Sequence, residues 1–381
     1  MYHSLATLLS LSSLIHACCA ESKVDHRLVR RVPSATDLFS FNSAESPGSC
    51  TPTQQALVSS WIKDAITLNN AALSAYGVIM GRQDAMHLRN IMGIHFSDPQ
   101  HLATPTDQLS YKLMGRRLGG VEQFLTGNGV PGAKDRTRPL FFCSDDFGQH
   151  VQWNEPAQDK NGQNIPHPFY EDKPFTVGQL FPGLVNAKQG EYDVQPFWAN
   201  IFNGYLFQGT NSERMCFDSL FAATPRSRTT GNFVSGVDIQ VGRFERFIYF
   251  CAKGWDMRPG TTNPMASLAD IITYANYPTG GSLAQNLGDF MPISATFYHE
   301  LFHLTDNLLK PTNDYFMDVK AISIKATSTY ANDRSTMVDN PESYNFFAVA
   351  SYLARNVPES PAGSVRKPGV VFWGGVPEIA E

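Results

Sequence analysis

The chain has 381 residues, of which 42 % are hydrophobic and only 17 % charged, with a formal net charge of -5. That is enough apolar material for a sizeable core in one large domain or two smaller ones. Basic residues cluster no further than the pairs Arg30-Arg31 and Arg116-Arg117, which argues against a nucleic-acid partner.

The chain opens on the apolar run LATLLSLSSLIHACCA, which ends in small residues as a secretory signal does, with cleavage expected after Ala20. No later stretch approaches the roughly 20 apolar residues of a membrane span. The expectation is a secreted, extracellular protein without a membrane anchor. Loss of residues 1–20 removes Cys18 and Cys19 and leaves Cys50, Cys143, Cys216 and Cys251. In an oxidising compartment these form two disulfides, and three connectivities remain open. Residues 21–45 are polar and aperiodic. Within them Arg30-Arg31 reads either as a processing site that releases a short propeptide or as a solvated charge pair.

Regular structure begins near Thr53. In QQALVSSWIKDAITLNNAALSAYGVI, Leu57, Trp61, Ile62, Ala65 and Leu68 recur at helical spacing, with Cys50 as an anchor just before them. Helical patterns follow over 81–92 and 107–126, and then the loop GNGVPGAKDRT. RPLFFC (138–143) and RFIYFC (246–251) read as strands, each an apolar and aromatic run ending in cysteine. The segment 144–240 between them is rich in Pro, Gly, Asn and Asp. It reads as short strands and loops forming a long irregular insertion in a catalytic domain that spans 46–360. Helices are expected again over 293–306, 318–331 and 340–356. In the last, Asn340 can cap, Pro341 suits the first turn and Glu342 favours the positive helix end. The Pro/Gly-rich tail, 361–381, is expected on the surface.

The helix over 293–306 carries His299-Glu300-Leu301-Phe302-His303. Two histidines four residues apart lie one turn apart on the same face, so their imidazoles can converge on one ion. Catalytic zinc takes three protein ligands and a water, and Glu300 is placed to act as general base toward that water. Asp is too short for this role, and Gln is no base. The flanks SATFY and LFHL suit a buried helix, with Ser294 as its expected cap. The plain alternative is a core helix with two satisfied histidines. A third ligand must come from downstream, where Asp306, Asp314, Asp318 and Glu342 are the candidates. Asp306 follows His303 by three residues and suits the helix end better than the ion.

These residues resemble the aspzincin metalloendopeptidases, the deuterolysin and fungal lysine-specific endopeptidase group. In that family HExxH precedes a Gly-Thr-x-Asp-x-x-Tyr-Gly motif whose aspartate is the third zinc ligand. The corresponding stretch here is Pro311-Thr312-Asn313-Asp314-Tyr315-Phe316-Met317-Asp318, which retains the threonine and the aspartate and replaces the glycines by Pro311 and Asp318. The resemblance therefore implies a Zn2+ site of His299, His303 and Asp314. DNPESYNFFAVA is similar to the family's closing helix, SCTPTQQALVSSWIKDAI to its opening helix, and LFFC and IYFCAKGWD to its cysteine positions. By the same analogy Cys50 pairs with Cys143 and Cys216 with Cys251. The implied fold is α+β and zincin-like, mainly helical, with a small β-sheet over the active-site helix. The implied partners are protein or peptide substrates, met by a monomer.

The chain departs from the family where the oxyanion is stabilised. Met317 stands where the family has a tyrosine, and a thioether donates no hydrogen bond. Tyr315 takes that role only if the loop is rearranged. Glu342 matches one acidic position of the family's lysine pocket, whereas Asn345 replaces the second acid. Two functional readings follow. One is a secreted zinc endopeptidase with Glu300 as base. The other is a weakly active or inactive binding protein on the same scaffold. A non-peptidase metal hydrolase has no positive feature in its favour.

Overall fold

The structure, a computed structural model, describes residues 31–77, 82–98, 101–133, 138–167, 169–170, 172–217, 220–225, 230–231, 239–242, 246–256, 267–281, 285–306 and 311–379. The expected signal segment with Cys18 and Cys19, and Arg30 of the dibasic pair, lie outside these residues.

The long helix Pro52–Gly77 is the main support of the core. It packs against the helices Pro105–Leu125, Ser294–Thr305 and Pro341–Arg355, which also pack on one another through Ser294–Thr305. Its buried stripe runs through Val58, Trp61, Ile62, Ala65, Leu68 and Ala72, the spacing of one helix face. Full burial of a side chain such as Ile62 or Leu68 contributes roughly 1.5–3 kcal/mol. Leu57, assigned to this face from its periodicity, instead points outward and is 36 % exposed. Leu57 and Val58 are adjacent apolar residues, and only packing decides which of the two turns inward. The helix expected over 318–331 is two shorter ones, Val319–Ala326 and Ala331–Ser335.

The four strands Ser40–Phe41, Leu140–Phe142, Phe247–Phe250 and Ala222–Ala223 form a small sheet in that order. The first three run parallel, and Ala222–Ala223 closes one edge antiparallel. Phe247–Phe250 is buried on both faces. Ile248 and Phe250 join the helical core, while Phe247 and Tyr249 join a second apolar cluster with Phe142, Phe147 and Phe197. This alternation explains why the strand reads as a continuous apolar run. The sheet touches the HExxH helix through Ala222–Ala223 and Phe247–Phe250.

The stretch 144–240 is more regular than its composition suggests. The strands Tyr192–Ala199 and Gly204–Gly209 form an antiparallel hairpin, flanked by Gln149–His150 and Lys188–Gln189. The hairpin turn uses Asn203 at φ 45°, a left-handed conformation that Asn tolerates better than most residues. A third cluster, including Phe175, Leu180, Trp198 and Tyr205, fills the space beneath it. The architecture is therefore α+β with several small sheets.

Both chain ends of the expected catalytic domain need correction. The compact unit starts at Pro33 and not at 46. Ala35, Leu38 and Phe39 are buried in the main core, and Ser40–Phe41 pairs with Leu140–Phe141. The tail is not confined to the surface, because Val370–Trp373 and Val376–Ile379 form a hairpin whose Val370 and Phe372 enter the same core. His87 Nε2 accepts the Phe372 N–H at 3.3 Å, and Asn90 Nδ2 donates to the Phe372 carbonyl at 3.5 Å. Disulfides join Cys50 to Cys143 and Cys216 to Cys251, the two pairs implied by the resemblance. Among the described residues no helix is long and apolar enough to cross a membrane.

Candidate metal centre

The HExxH helix, Ser294–Thr305, is apolar nearly all round, and Ala295, Phe297, Tyr298, Leu301, Phe302 and Leu304 are all buried. Such a helix belongs in the centre of a core, where its polar groups must find partners within the protein. Ser294 is not its cap. Ile293 holds that position, and the Ser294 hydroxyl lies within the first turn and donates to Asp64 Oδ2 at 2.7 Å. At the other end Asp306 is the C-cap, and Arg246 Nη1 donates to the carbonyls of Leu304 at 2.7 Å and Asp306 at 3.2 Å.

The chain returns at Thr312 under control of Asp306. Asp306 Oδ2 accepts from Thr312 N at 2.6 Å and from Thr312 Oγ1 at 2.9 Å. This brings Asp314 back over the helix, where its Oδ1 lies 2.9 Å from His299 Nε2 and 3.0 Å from His303 Nε2. Asn340, at the start of Pro341–Arg355, holds the next two residues. Its Oδ1 accepts from Tyr315 N and Phe316 N, and its Nδ2 donates to the Phe316 carbonyl. Asn340 occupies the N-cap position as expected, but its side chain serves this loop and makes no capping bond.

The ligand atoms of His299, His303 and Asp314 all lie within 4.8 Å of one another, close enough to hold one metal ion. Each histidine is oriented from behind. His299 Nδ1 is 3.0 Å from Glu342 Oε2, and His303 Nδ1 is 2.8 Å from Thr312 Oγ1. With the Nδ1 protons donated to these acceptors, both Nε2 atoms present lone pairs toward Asp314. Such a contact is favourable only when a proton or a cation lies between nitrogen and carboxylate. Two imidazoles and a carboxylate aimed at one point are a donor set suited to a divalent cation.

The electrostatics agree. Burial opposes charge on His299, yet Asp314 and Glu342 beside it raise its pKa to about 10. Burial likewise opposes charge on Asp314, but the two histidines hold its carboxyl well below the usual range. Glu300 is pushed up by burial, an effect that the neighbouring histidines only partly offset. Its Oε2 accepts from the Thr224 hydroxyl at 2.6 Å, and Oε1 has no hydrogen-bond partner among the described residues.

The remaining candidates fall differently. Glu342, expected at a substrate lysine, is 2 % exposed, and its carboxylate serves His299 and Asn345 Nδ2, the latter at 2.9 Å. Glu342 therefore faces inward, where it meets an imidazole and is closed to a solvent-borne side chain. Asn345 is fully buried, and its amide supplies a donor where an acid would face Glu342 with a like charge. Tyr315 is 47 % exposed, and its hydroxyl accepts from Asn313 Nδ2 at 3.3 Å. Met317 is also exposed. Asp318 caps the helix Val319–Ala326 by accepting from Ala321 N, and takes no part in the cluster. Thr224 was missed from sequence, because a threonine in an aperiodic stretch carries no signal of its partner. Comparison with known protein families, with curated proteins and with solved structures finds no match.

Proposed function

We propose that this chain is a secreted, zinc-dependent endopeptidase of aspzincin type with a zincin-like catalytic domain. The observation that carries the reading is the convergence of His299, His303 and Asp314 on one point, with Glu300 on the same helix between the histidines. A His2Asp set whose two imidazoles are backed by Glu342 and Thr312 suits zinc, and both disulfides suit an extracellular setting.

Zinc held there would supply a Lewis acid that polarises a peptide carbonyl and acidifies a water. The chain's own residues do the rest. Glu300, buried and held at Oε2, accepts the proton of the attacking water at Oε1 and returns it to the nitrogen of the leaving amine. Glu342 and Thr312 keep the histidine rings in the orientation that points both Nε2 atoms inward.

One observation favours a second reading, an inactive or weakly active binding protein on this scaffold. Met317 cannot donate to an oxyanion, and the Tyr315 hydroxyl is engaged by Asn313. Loss of one such donor costs about 10²–10³ in turnover. The deciding experiment measures zinc content and casein cleavage for wild type and Glu300→Ala in parallel. The endopeptidase reading expects about one zinc in each and cleavage by wild type alone. Zinc in both with cleavage by neither moves the binding protein ahead, and zinc in neither overturns both readings.

A further inference from the structure

The geometry points to Thr224 as a positioning residue that fixes the Glu300 carboxylate for proton transfer. This inference rests on the endopeptidase reading and extends it to the stretch 144–240, which the HExxH pattern does not involve.

Thr224 follows the edge strand Ala222–Ala223, and this strand is clamped close to the HExxH helix. Ala222 and Ala223 pair with Phe250 and Tyr249, and Cys251 N donates to the Phe221 carbonyl at 2.9 Å. The disulfide between Cys216 and Cys251 fastens the preceding segment to the same strand. The backbone that delivers Thr224 is thus held by a sheet ladder on one side and a covalent bond upstream.

From there the Thr224 hydroxyl lies 2.6 Å from Glu300 Oε2 and 3.3 Å from the Glu300 carbonyl oxygen. In the shorter contact the Thr224 hydroxyl donates to the carboxylate oxygen. Glu300 has no other hydrogen bond from a side chain of the described residues. Without this donor its terminal torsion, which is broad and roughly two-fold in glutamate, has no polar restraint. Thr224 binds one oxygen and leaves the other as the proton acceptor. Its hydroxyl makes no hydrogen bond to His299, His303 or Asp314.

The test compares wild type, Thr224→Val, Thr224→Ala and Thr224→Ser, each with its zinc content measured. Valine has the shape of threonine without the donor, alanine guards against a fold that rejects valine, and serine restores the hydroxyl. Steady-state kinetics on a quenched peptide that wild type cleaves should show kcat falling about 10- to 100-fold in the valine and alanine variants. KM and zinc content should stay unchanged, and serine should recover most of the loss. Crystal structures of the metal-free proteins give a readout independent of turnover: the Glu300 carboxylate should leave its place in Thr224→Val and keep it in Thr224→Ser. A valine variant with wild-type kcat, or a carboxylate that does not move, overturns the inference. Should wild type cleave nothing, the endopeptidase reading fails instead, and the crystal structures alone decide whether Thr224 holds Glu300.

Discussion

Glu342 Oε2 stands 3.0 Å from His299 Nδ1, and the same oxygen accepts from Asn345 Nδ2 at 2.9 Å. A buried carboxylate behind a ligating histidine fixes its tautomer and raises its basicity. Glu342→Gln should therefore weaken zinc binding about 10- to 100-fold while the fold is retained. Competition against a chelator measures this. An unchanged affinity would mean that Glu342 is only a helix-start charge.

Metal uptake should release protons. Burial disfavours the charged form of His299, but Asp314 and Glu342 outweigh it and raise its pKa to about 10 in the metal-free chain. At neutral pH the metal must displace that proton, so affinity should climb about tenfold per pH unit for each proton released. The same shift gives the metal-free fold stability that is complete below about pH 6.5, the ordinary histidine value, and is lost as pH rises through about 10. Calorimetry in buffers of different ionisation enthalpy counts the protons directly, and a count of zero would contradict this account.

Asn340 holds the loop immediately after Asp314. Its Oδ1 accepts from Tyr315 N at 3.1 Å and Phe316 N at 3.3 Å, and its Nδ2 donates to the Phe316 carbonyl at 3.0 Å. Asn340→Ala orphans these groups and should cost about 1–3 kcal/mol of stability. It should also weaken metal binding, because Asp314 precedes this clamp directly. Asn340→Asp keeps the acceptor and should do less harm. Thermal melts with and without zinc separate the two effects, since a purely structural role would lower both curves by the same amount.

His87, buried in the core, should contribute to acid sensitivity. Burial, helped by the charge of Arg355, lowers its pKa to about 3. The unfolded chain takes up the proton near pH 6.5 and the folded chain does not, so stability falls as pH drops from about 6.5 to about 3. This one group contributes a slope of up to about 1.4 kcal/mol per pH unit. In His87→Gln the melting temperature should decline less steeply over that window. A slope identical to wild type would assign the acid limb to other groups.

How much of this was legible in advance varied with the kind of residue. Periodicity located the helices Pro52–Gly77 and Pro105–Leu125, and the apolar runs located Leu140–Phe142 and Phe247–Phe250. Composition announced short strands and loops in 144–240 but not the pairing of Tyr192–Ala199 with Gly204–Gly209, because strands that are buried along most of their length lose the alternation that would mark their faces. It misjudged the C-terminal hairpin, whose Gly and Pro content hid the buried Val370 and Phe372.

The sequence by itself determined the chemistry on offer. His299, Glu300 and His303 share a helix whose pitch alone places the two histidines together, and a threonine and an aspartate shared with a family motif were enough to nominate Asp314. Local geometry carries such information because i and i+4 are neighbours whatever the rest of the chain does. Only the tertiary structure decided what stands behind each ligand. Glu342 is 43 residues from His299 in sequence, and Thr224 is 76 from Glu300. Whether a carboxylate at a helix start meets solvent or an imidazole depends on which face that helix buries, and burial is a property of the packed core that no single segment contains.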